Sequence, residues 1–153
     1  MTVPVFREAT MADHSSLLGL EQKIIEAERP YDPDIRESNV TYYDLENLIS
    51  SVESYVVVVE SDSKIIGSGY AQIRTSKACH SHDSHCYLGF IYLDSEHRGK
   101  SIGQGILDNL KQWGLNRGLS HFHLDVYSDN ISAIRAYEKA GFEKVSVNMR
   151  LVV

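Results

Sequence analysis

The apolar pattern at the start of the chain predicts a strand followed by a helix. Residues 3–9 are predicted to form a short first strand. Thr10 is a suitable cap for a helix that runs to about Ala27. The apolar face of this helix is formed by Leu17, Leu20 and Ile24. Pro30 and Pro33 then end the helical pattern, because proline lacks the N–H that a helix interior needs.

The next segment predicts a short helix and a pair of strands. Thr41 is expected to cap a second helix that contains Leu45, Leu48 and Ile49. Residues 55–59 are a β-branched run typical of a buried strand. Residues 61–64 are turn formers, and a further strand follows from 65 to about 74. The two strands are therefore predicted to pair as a hairpin.

The second half of the chain alternates strands and helices after a polar loop. The predicted elements are a strand at 86–93, a helix at 102–117, a strand at 121–127, a helix at 130–140 and a strand-like end at 142–153. The order is β-α-α-β-β-β-α-β-α-β(β). This order predicts a mixed α/β (α+β) domain with a largely antiparallel central sheet and one βαβ unit near its end.

Length and composition are those of one globular domain over residues 1–153. The chain is 42% apolar and 24% charged, and it contains no repeat or linker-like stretch. No apolar run approaches the roughly 20 residues that span a bilayer. Residues 1–8 lack the basic and apolar regions of a signal peptide, so the cytoplasm is the expected location.

Charge and cysteine content narrow the function classes. The net charge of −6 argues against a protein that coats nucleic acid or an anionic membrane, and at first sight against an anionic cofactor. Cys79 and Cys86 are too few for a disulfide scaffold. A reduced protein is the simpler expectation, although one disulfide stays open.

Residues 93–103 form a strand–loop–helix junction with the features of a phosphate site. A helix start offers unpaired N–H groups, glycines let an anion approach the backbone, and Arg98 and Lys100 add positive charge. An ordinary turn is an equally good interpretation of the composition alone. A Walker A loop is excluded, because Asp94 stands where its first glycine would be. No dinucleotide glycine pattern is present either.

A second group of residues shares one face of the helix predicted at 130–140. Asn130, Ala133, Ile134 and Tyr137 follow at helical spacing. Asn130 and Tyr137 would lie about 10 Å apart along the axis, which suits an elongated ligand. For a lone tyrosine, a buried core position is the better interpretation.

Together the two segments resemble a known family. Residues 98–103, Arg-Gly-Lys-Ser-Ile-Gly after an apolar strand, are similar to the acyl-CoA signature Gln/Arg-x-x-Gly-x-Gly/Ala of the GCN5-related N-acetyltransferase (GNAT) family. The pattern from Asn130 through Ala133 and Tyr137 to Phe142 is similar to that family's second conserved segment. The resemblance covers essentially the whole chain and is weakest in residues 28–52.

This resemblance implies a cleft and an acyl donor, acetyl-CoA. Strands four and five would part in a V, and the pantetheine arm would lie along the main chain of Ile91, Tyr92 and Leu93. The pyrophosphate would lie on the N–H groups of Arg98, Gly99, Lys100, Ser101, Ile102 and Gly103. Asn130 and Ala133 would lie beside the pantetheine, and Tyr137 would approach the thioester sulfur.

The implied reaction is acetyl transfer to a primary amine by direct attack in a ternary complex. A strand N–H near Ile91 would stabilise the charge on the thioester oxygen. Tyr137 would be the catalytic acid that protonates the leaving thiolate. The identity of the acceptor is left open: it could be a small molecule, a peptide or a protein lysine. The family resemblance also suggests a homodimer.

Two departures from the family pattern bear on this interpretation. Ser101 stands where the signature has glycine, and we expect its hydroxyl to compensate so that donor binding is retained. Gly89 and Phe90 stand where many members carry an acid that acts as the base. The missing acid keeps an alternative open, namely a non-catalytic acyl-CoA sensor.

Residues 79–86 are rich in groups that bind metals, with two cysteines and three histidines. Their spacing matches no standard zinc pattern, so we expect no functional metal site there. His121 and His123 are expected to be ordinary strand residues. A metal-binding module is the third hypothesis.

Residues 28–37 are expected to border the acceptor entrance as an acidic, aromatic rim or a solvated loop.

Overall fold

A computed structural model describes residues 3–153. Its strands are Val5–Glu8 (β1), Ser54–Ser61 (β2), Lys64–Thr75 (β3), Ser84–Leu93 (β4) and Phe122–His123 (β5). Its α-helices are His14–Glu28 (α1), Leu45–Ser50 (α2), Ile102–Asn116 (α3) and Ile131–Lys139 (α4). Within the described residues, none of these helices has the length and apolar character that crossing a bilayer requires.

The five strands form one open sheet in the order β1-β2-β3-β4-β5. All neighbours are antiparallel except β4 and β5, which are parallel. The hairpin between β2 and β3 turns through Asp62 and Ser63, both in the left-handed region of φ. The prediction of a mixed, largely antiparallel sheet with flanking helices is confirmed.

The alternating side chains of β2 divide the core between the two faces of the sheet. Val56 and Val58 pack with α1 and α2 on one face. Val57 and Val59 pack with α3 on the other face. All four valines are at most 2% exposed, so β2 is a central strand covered on both sides. This explains why its sequence is continuously apolar.

Strands β4 and β5 part soon after they meet. Cys86 pairs with Phe122 and Tyr87 pairs with His123, and β5 then ends while β4 continues to Leu93. The strand expected at 121–127 is therefore shorter than the sequence predicted, because its second half diverges from β4 and has no ladder. The predicted V-shaped splay between strands four and five is confirmed.

Two further predictions are corrected by the structure. The second helix is capped by Asp44, whose carboxylate accepts the Asn47 N–H at 3.2 Å, and not by Thr41. The strand-like end at 142–153 forms no strand. Its alternating residues Val145, Val147, Met149 and Leu151 are 81% to 89% exposed. Alternation indicates the side-chain pattern of a strand, but a strand also needs a partner edge to form.

Candidate active site

The loop before α3 presents backbone N–H groups at the open end of the splay. Gly99 and Ser101 have φ values of +80° and +64°, both left-handed. The N–H of Gly105 donates to the Ser101 carbonyl at 3.2 Å as the first bond of the helix. The N–H groups of residues 101–104 therefore precede the helical ladder, and no side chain caps the helix start. This arrangement suits an anion.

Side chains around this loop leave room for a ligand. The Arg98 Nε donates to the Leu93 carbonyl at 2.9 Å, which ties the loop to the end of β4. A Cβ on Gly103 would have no atom within 4 Å, so the surface over the first turn of α3 is open. Lys100 is exposed beside it. The net charge of −6 does not describe this site, where free N–H donors lie beside Arg98 and Lys100, and these two cations offset the acids Asp94 and Glu96 of the same loop.

A β-bulge in β4 sets the direction of the backbone along the splay. The register with β3 shifts between Ser68 and Tyr70, and Phe90 has a φ of +51°, which is unusual for a bulky residue. The Ser68 hydroxyl donates to the Phe90 carbonyl at 2.9 Å and supports this conformation.

The alternation of the backbone along β4 shows which residues face the splay. Before the bulge, the Cys86 N–H donates to the His121 carbonyl, on the β5 side. After the bulge, the Asp94 N–H donates to the Ile66 carbonyl of β3. Backbone groups along a strand alternate in direction with a period of two residues. Because the Asp94 N–H faces β3, the main chain of Tyr92 also faces β3, and that of Ile91 and Leu93 faces the splay.

Helix α4 brings its predicted ligand-binding residues to the same region. The Asn130 side-chain oxygen accepts the Ala133 N–H at 3.2 Å, so Asn130 caps the helix, a role that the sequence interpretation did not include. Gln104 of α3 donates to the Ala136 carbonyl at 3.1 Å and joins the two helices. Tyr137 packs against the α3 side of the core and makes an edge contact with Phe142.

The Tyr137 phenol keeps its proton over the whole physiological range. Burial, and secondly the nearby charge of Glu28, raise the pKa of Tyr137 to about 12. The phenol is therefore available as a proton donor. The Tyr137 phenol of α4 is thus subject to the charge of Glu28 of α1, although the two residues are far apart in the chain.

Glu28 is a titratable group that the sequence interpretation did not single out. It is half-buried at the end of α1, and burial raises its pKa above the ordinary value of 4.5. A partial interaction with the Tyr42 hydroxyl opposes this shift. The Tyr42 hydroxyl is itself buried, and among the described residues it makes no hydrogen bond of ordinary geometry. The feature of the sequence that could have identified Glu28 is its helical spacing. Glu28 continues the apolar face of α1 because it lies four residues after Ile24.

Tyrosines and acids from several segments lie around the end of α1, where Glu28 is. Glu21 is fully buried and accepts the N–H groups of Tyr42 and Tyr43 at 2.9 Å each, which fixes that segment against α1. Tyr31 stacks on Tyr127 with ring centroids 6.1 Å apart. The predicted acidic and aromatic rim at 28–37 is thus brought together with segments from two other parts of the chain.

Asp32 is the most strongly held carboxylate of this rim. It accepts Arg150 at 2.8 and 3.2 Å and the Tyr127 hydroxyl at 3.1 Å. The hydrogen bonds from Arg150 lower the pKa of Asp32 to about 2, so it is ionised at neutral pH. Asp32 therefore connects the C-terminal segment to the rim.

Comparison with known proteins agrees with this geometry. Residues 21–142 match the acetyltransferase (GNAT) family. The chain belongs to the GNAT family. A curated relative, an uncharacterized N-acetyltransferase YobR of Bacillus subtilis, is 34% identical over 64 residues. That match covers 42% of this chain and 26% of the relative, so the chain spans only part of the length of the curated relatives that it matches.

Solved structures share the GNAT fold over nearly the whole chain. A tetramutant of the BH1408 protein from Bacillus halodurans has a TM-score of 0.84 at 24% identity, with 97% of this chain and 99% of that chain covered. A predicted acetyltransferase from Clostridium acetobutylicum, solved with acetyl-CoA, has a TM-score of 0.79 at 19% identity, with 98% and 96% covered. At these identities the likeness shows the fold.

The GNAT chain departs from its family pattern at Gly89 for a steric reason. Gly89 pairs with Tyr70 across the strands, and a Cβ on Gly89 would lie 2.6 Å from the Tyr70 ring. The position of the common strand acid is thus filled by a buried phenol from β3. A base for the amine would have to come from another element.

Proposed function

We propose that this GNAT protein is an acetyl-CoA-dependent N-acetyltransferase that acts on a primary amine by direct attack in a ternary complex. One observation carries the proposal: β4 and β5 part directly beside the uncapped start of α3. A parted parallel strand pair leaves main-chain groups for an amide-containing arm, and the helix start provides donors for its pyrophosphate. Donor and acceptor would be held together in one cleft, which supplies much of the rate.

The donor would be bound chiefly by backbone. Ile91 and Leu93 would pair with the pantetheine amides, with Tyr92 between them, and Asn130 and Ala133 would line the opposite side. The pyrophosphate would be bound by the N–H groups of Arg98, Gly99, Lys100, Ser101, Ile102 and Gly103. Arg98 and Lys100 offset Asp94 and Glu96 of the same loop, so an anionic ligand would be held mainly by the free backbone N–H donors.

The proton transfers are assigned to two residues from different helices. Glu28 takes a proton from the incoming ammonium group, directly or through water, so that the neutral amine forms the new C–N bond at the thioester carbon. An N–H near Ile91 stabilises the negative charge on the carbonyl oxygen. As the C–S bond breaks, Tyr137 gives its proton to the sulfur, and the second proton that the nitrogen loses as the amide forms returns to the Tyr137 oxygen, directly or through water. The pKa of Tyr137, raised to about 12, keeps the phenol protonated for this step.

The acceptor is proposed to be a small cationic amine. Glu28 supplies a carboxylate, whereas the charge of Asp32 is paired with Arg150, and the stacked Tyr31 and Tyr127 supply aromatic faces that attract cations. The net charge of −6 favours the approach of such a molecule. The cytoplasm is the proposed location, where acetyl-CoA is made and where the two free thiols, Cys79 and Cys86, would stay reduced.

A panel of amines tests the proposed function. Purified protein is incubated with acetyl-CoA and each amine, and release of free thiol is measured beside mass spectrometry of the product. Turnover with at least one cationic amine is expected, with the acetyl group on its nitrogen. Tight acetyl-CoA binding without turnover across the panel would favour the alternative function, a non-catalytic sensor.

The C-terminal segment supports a homodimer. Residues 143–153 are exposed and form no strand within the chain, and their alternating apolar side chains suit an added strand against a second copy. Light scattering after size exclusion is expected to give twice the monomer mass. Val147→Glu combined with Met149→Glu should yield monomers, whereas Lys144→Glu in the same segment should not. A monomeric parent protein would refute the dimer.

A further inference from the structure

Five of the seven histidines come together at the closed end of the splay. His80 and His82 come from the loop before β4 and His85 from the start of β4, while His121 directly precedes β5 and His123 ends it. The rings of His82 and His121 stack with centroids 3.6 Å apart, and those of His85 and His123 lie 4.6 Å apart. We call these five residues the histidine cluster.

Three members of the histidine cluster have the geometry of a metal site. One ligand atom each from His82, His85 and His123 lies within 4.8 Å of the other two. Tetrahedral coordination by imidazole nitrogens at the usual zinc distance needs separations of about 3.4 Å. Small rotations of three partly buried rings would close that difference.

The hydrogen bonding of the cluster is incomplete without a further partner. Both ring nitrogens of His82 are shielded from solvent, and among the described residues neither has a hydrogen-bond partner. His85 is held through Nδ1 by the Ser76 hydroxyl at 3.0 Å. Such a bond fixes the ring of a metal ligand and leaves Nε2 to face the ion.

We propose that His82, His85 and His123 bind a Zn²⁺ ion that joins β4 to β5 below the splay. His80 or His121, each in ring contact with His82, supplies the fourth ligand. An all-imidazole set favours zinc and its transition-metal neighbours over Mg²⁺ and Ca²⁺, which prefer oxygen ligands.

The position of the site gives the metal a structural role. The short ladder between β4 and β5 consists of the pairs Cys86–Phe122 and Tyr87–His123. His123 therefore belongs to the ladder itself, and His85 is the residue directly before it on β4. A ladder of two residue pairs is short, so a metal across the strands would add much to its stability. The metal would hold the closed end of the cleft without touching the reacting groups.

Zinc titration of the full chain without an affinity tag tests this proposal. One Zn²⁺ per chain should bind by calorimetry, and at 100 times Kd it should raise Tm by about 5 to 10 °C. X-ray absorption should show nitrogen ligands at about 2.0 Å. No zinc-dependent rise in Tm, or sulfur in the coordination shell, would overturn the proposal.

Matched variants separate this site from surface binding. His82→Ala and His123→Ala should each lose stoichiometric binding and the rise in Tm, while their Tm with a chelator stays near that of the parent. His14→Ala and His97→Ala, outside the cluster, should retain both. If His82→Ala and His123→Ala bind zinc as well as the parent does, the site is elsewhere and the proposal fails.

Discussion

The ring of Tyr70 fills the space that a side chain at position 89 would need. A Cβ on Gly89 would lie 2.6 Å from the Tyr70 ring and hydroxyl. Tyr70 is only 5% exposed and contacts the rings of Tyr43 and Tyr87, so it has little room to move. This pair shows that position 89 has no room for a side chain, and the base that we propose, Glu28, comes from another element.

Adding a methyl group at position 89 should destabilise the fold. Gly89→Ala is expected to cost about 1 to 3 kcal/mol of unfolding free energy because it overpacks the core against Tyr70. In a Tyr70→Ala background the same change should cost much less, which a double-mutant cycle in urea would measure. Gly19→Ala is the control, since its Cβ meets nothing and a mid-helix alanine should stabilise by about 0.5 to 1 kcal/mol. Equal costs in both backgrounds would contradict the steric explanation.

Removal of the Tyr137 hydroxyl should affect turnover and leave donor binding intact. Tyr137→Phe is expected to lower kcat by about 10²-fold or more, because the thiolate then leaves without its proton donor. With a pKa of about 12, the parent phenol stays protonated, so it adds no limb to the rate profile below pH 10. Tyr55→Phe, at a tyrosine that stacks on Trp113, is the matched control. An unchanged kcat across pH would refute the acid role.

Glu28→Gln should remove the acidic limb of the rate profile. In the parent protein, kcat should rise with pH as Glu28 loses its proton, and its midpoint should lie above pH 4.5 because burial raises the pKa. The glutamine variant should be about 10²-fold slower at neutral pH and nearly flat over that range. Glu53→Gln, an exposed neighbour of β2, should behave as the parent. A change in KM alone would show that Glu28 only positions the acceptor.

Ser101→Gly should stabilise the protein. The parent and the glycine variant should both bind acetyl-CoA. Ser101 has a φ of +64°, where a Cβ is unfavourable, so glycine should add about 0.5 to 1 kcal/mol to the unfolding free energy. Ser101→Ala keeps the Cβ and removes only the hydroxyl, so comparing it with the parent isolates any hydrogen bond to phosphate, and comparing it with Ser101→Gly isolates the effect of the Cβ. If only the glycine variant bound acetyl-CoA, the expectation that Ser101 supports binding would be wrong.

The helices and most strands could be predicted because their signals are local. Helix α3 begins and ends within a residue of its predicted bounds, since the glycine-containing loop and Gly118 lie next to it in sequence. The end at 142–153 was predicted as a strand from alternation alone. Alternation describes side chains, whereas a strand needs an edge to pair with, and within the described chain this segment pairs with neither open edge of the sheet.

The sequence by itself determined the order of elements and the loop of N–H groups before α3, because both depend on residues within one or two turns of each other. Only the tertiary structure decided which distant residues meet. Glu28 and Tyr137, Tyr70 and Gly89, and His82 and His123 are brought together by strand register and helix packing. The physical reason is that local pattern specifies which face a side chain occupies, whereas its neighbour across the core depends on register, bulges and the parting of strands.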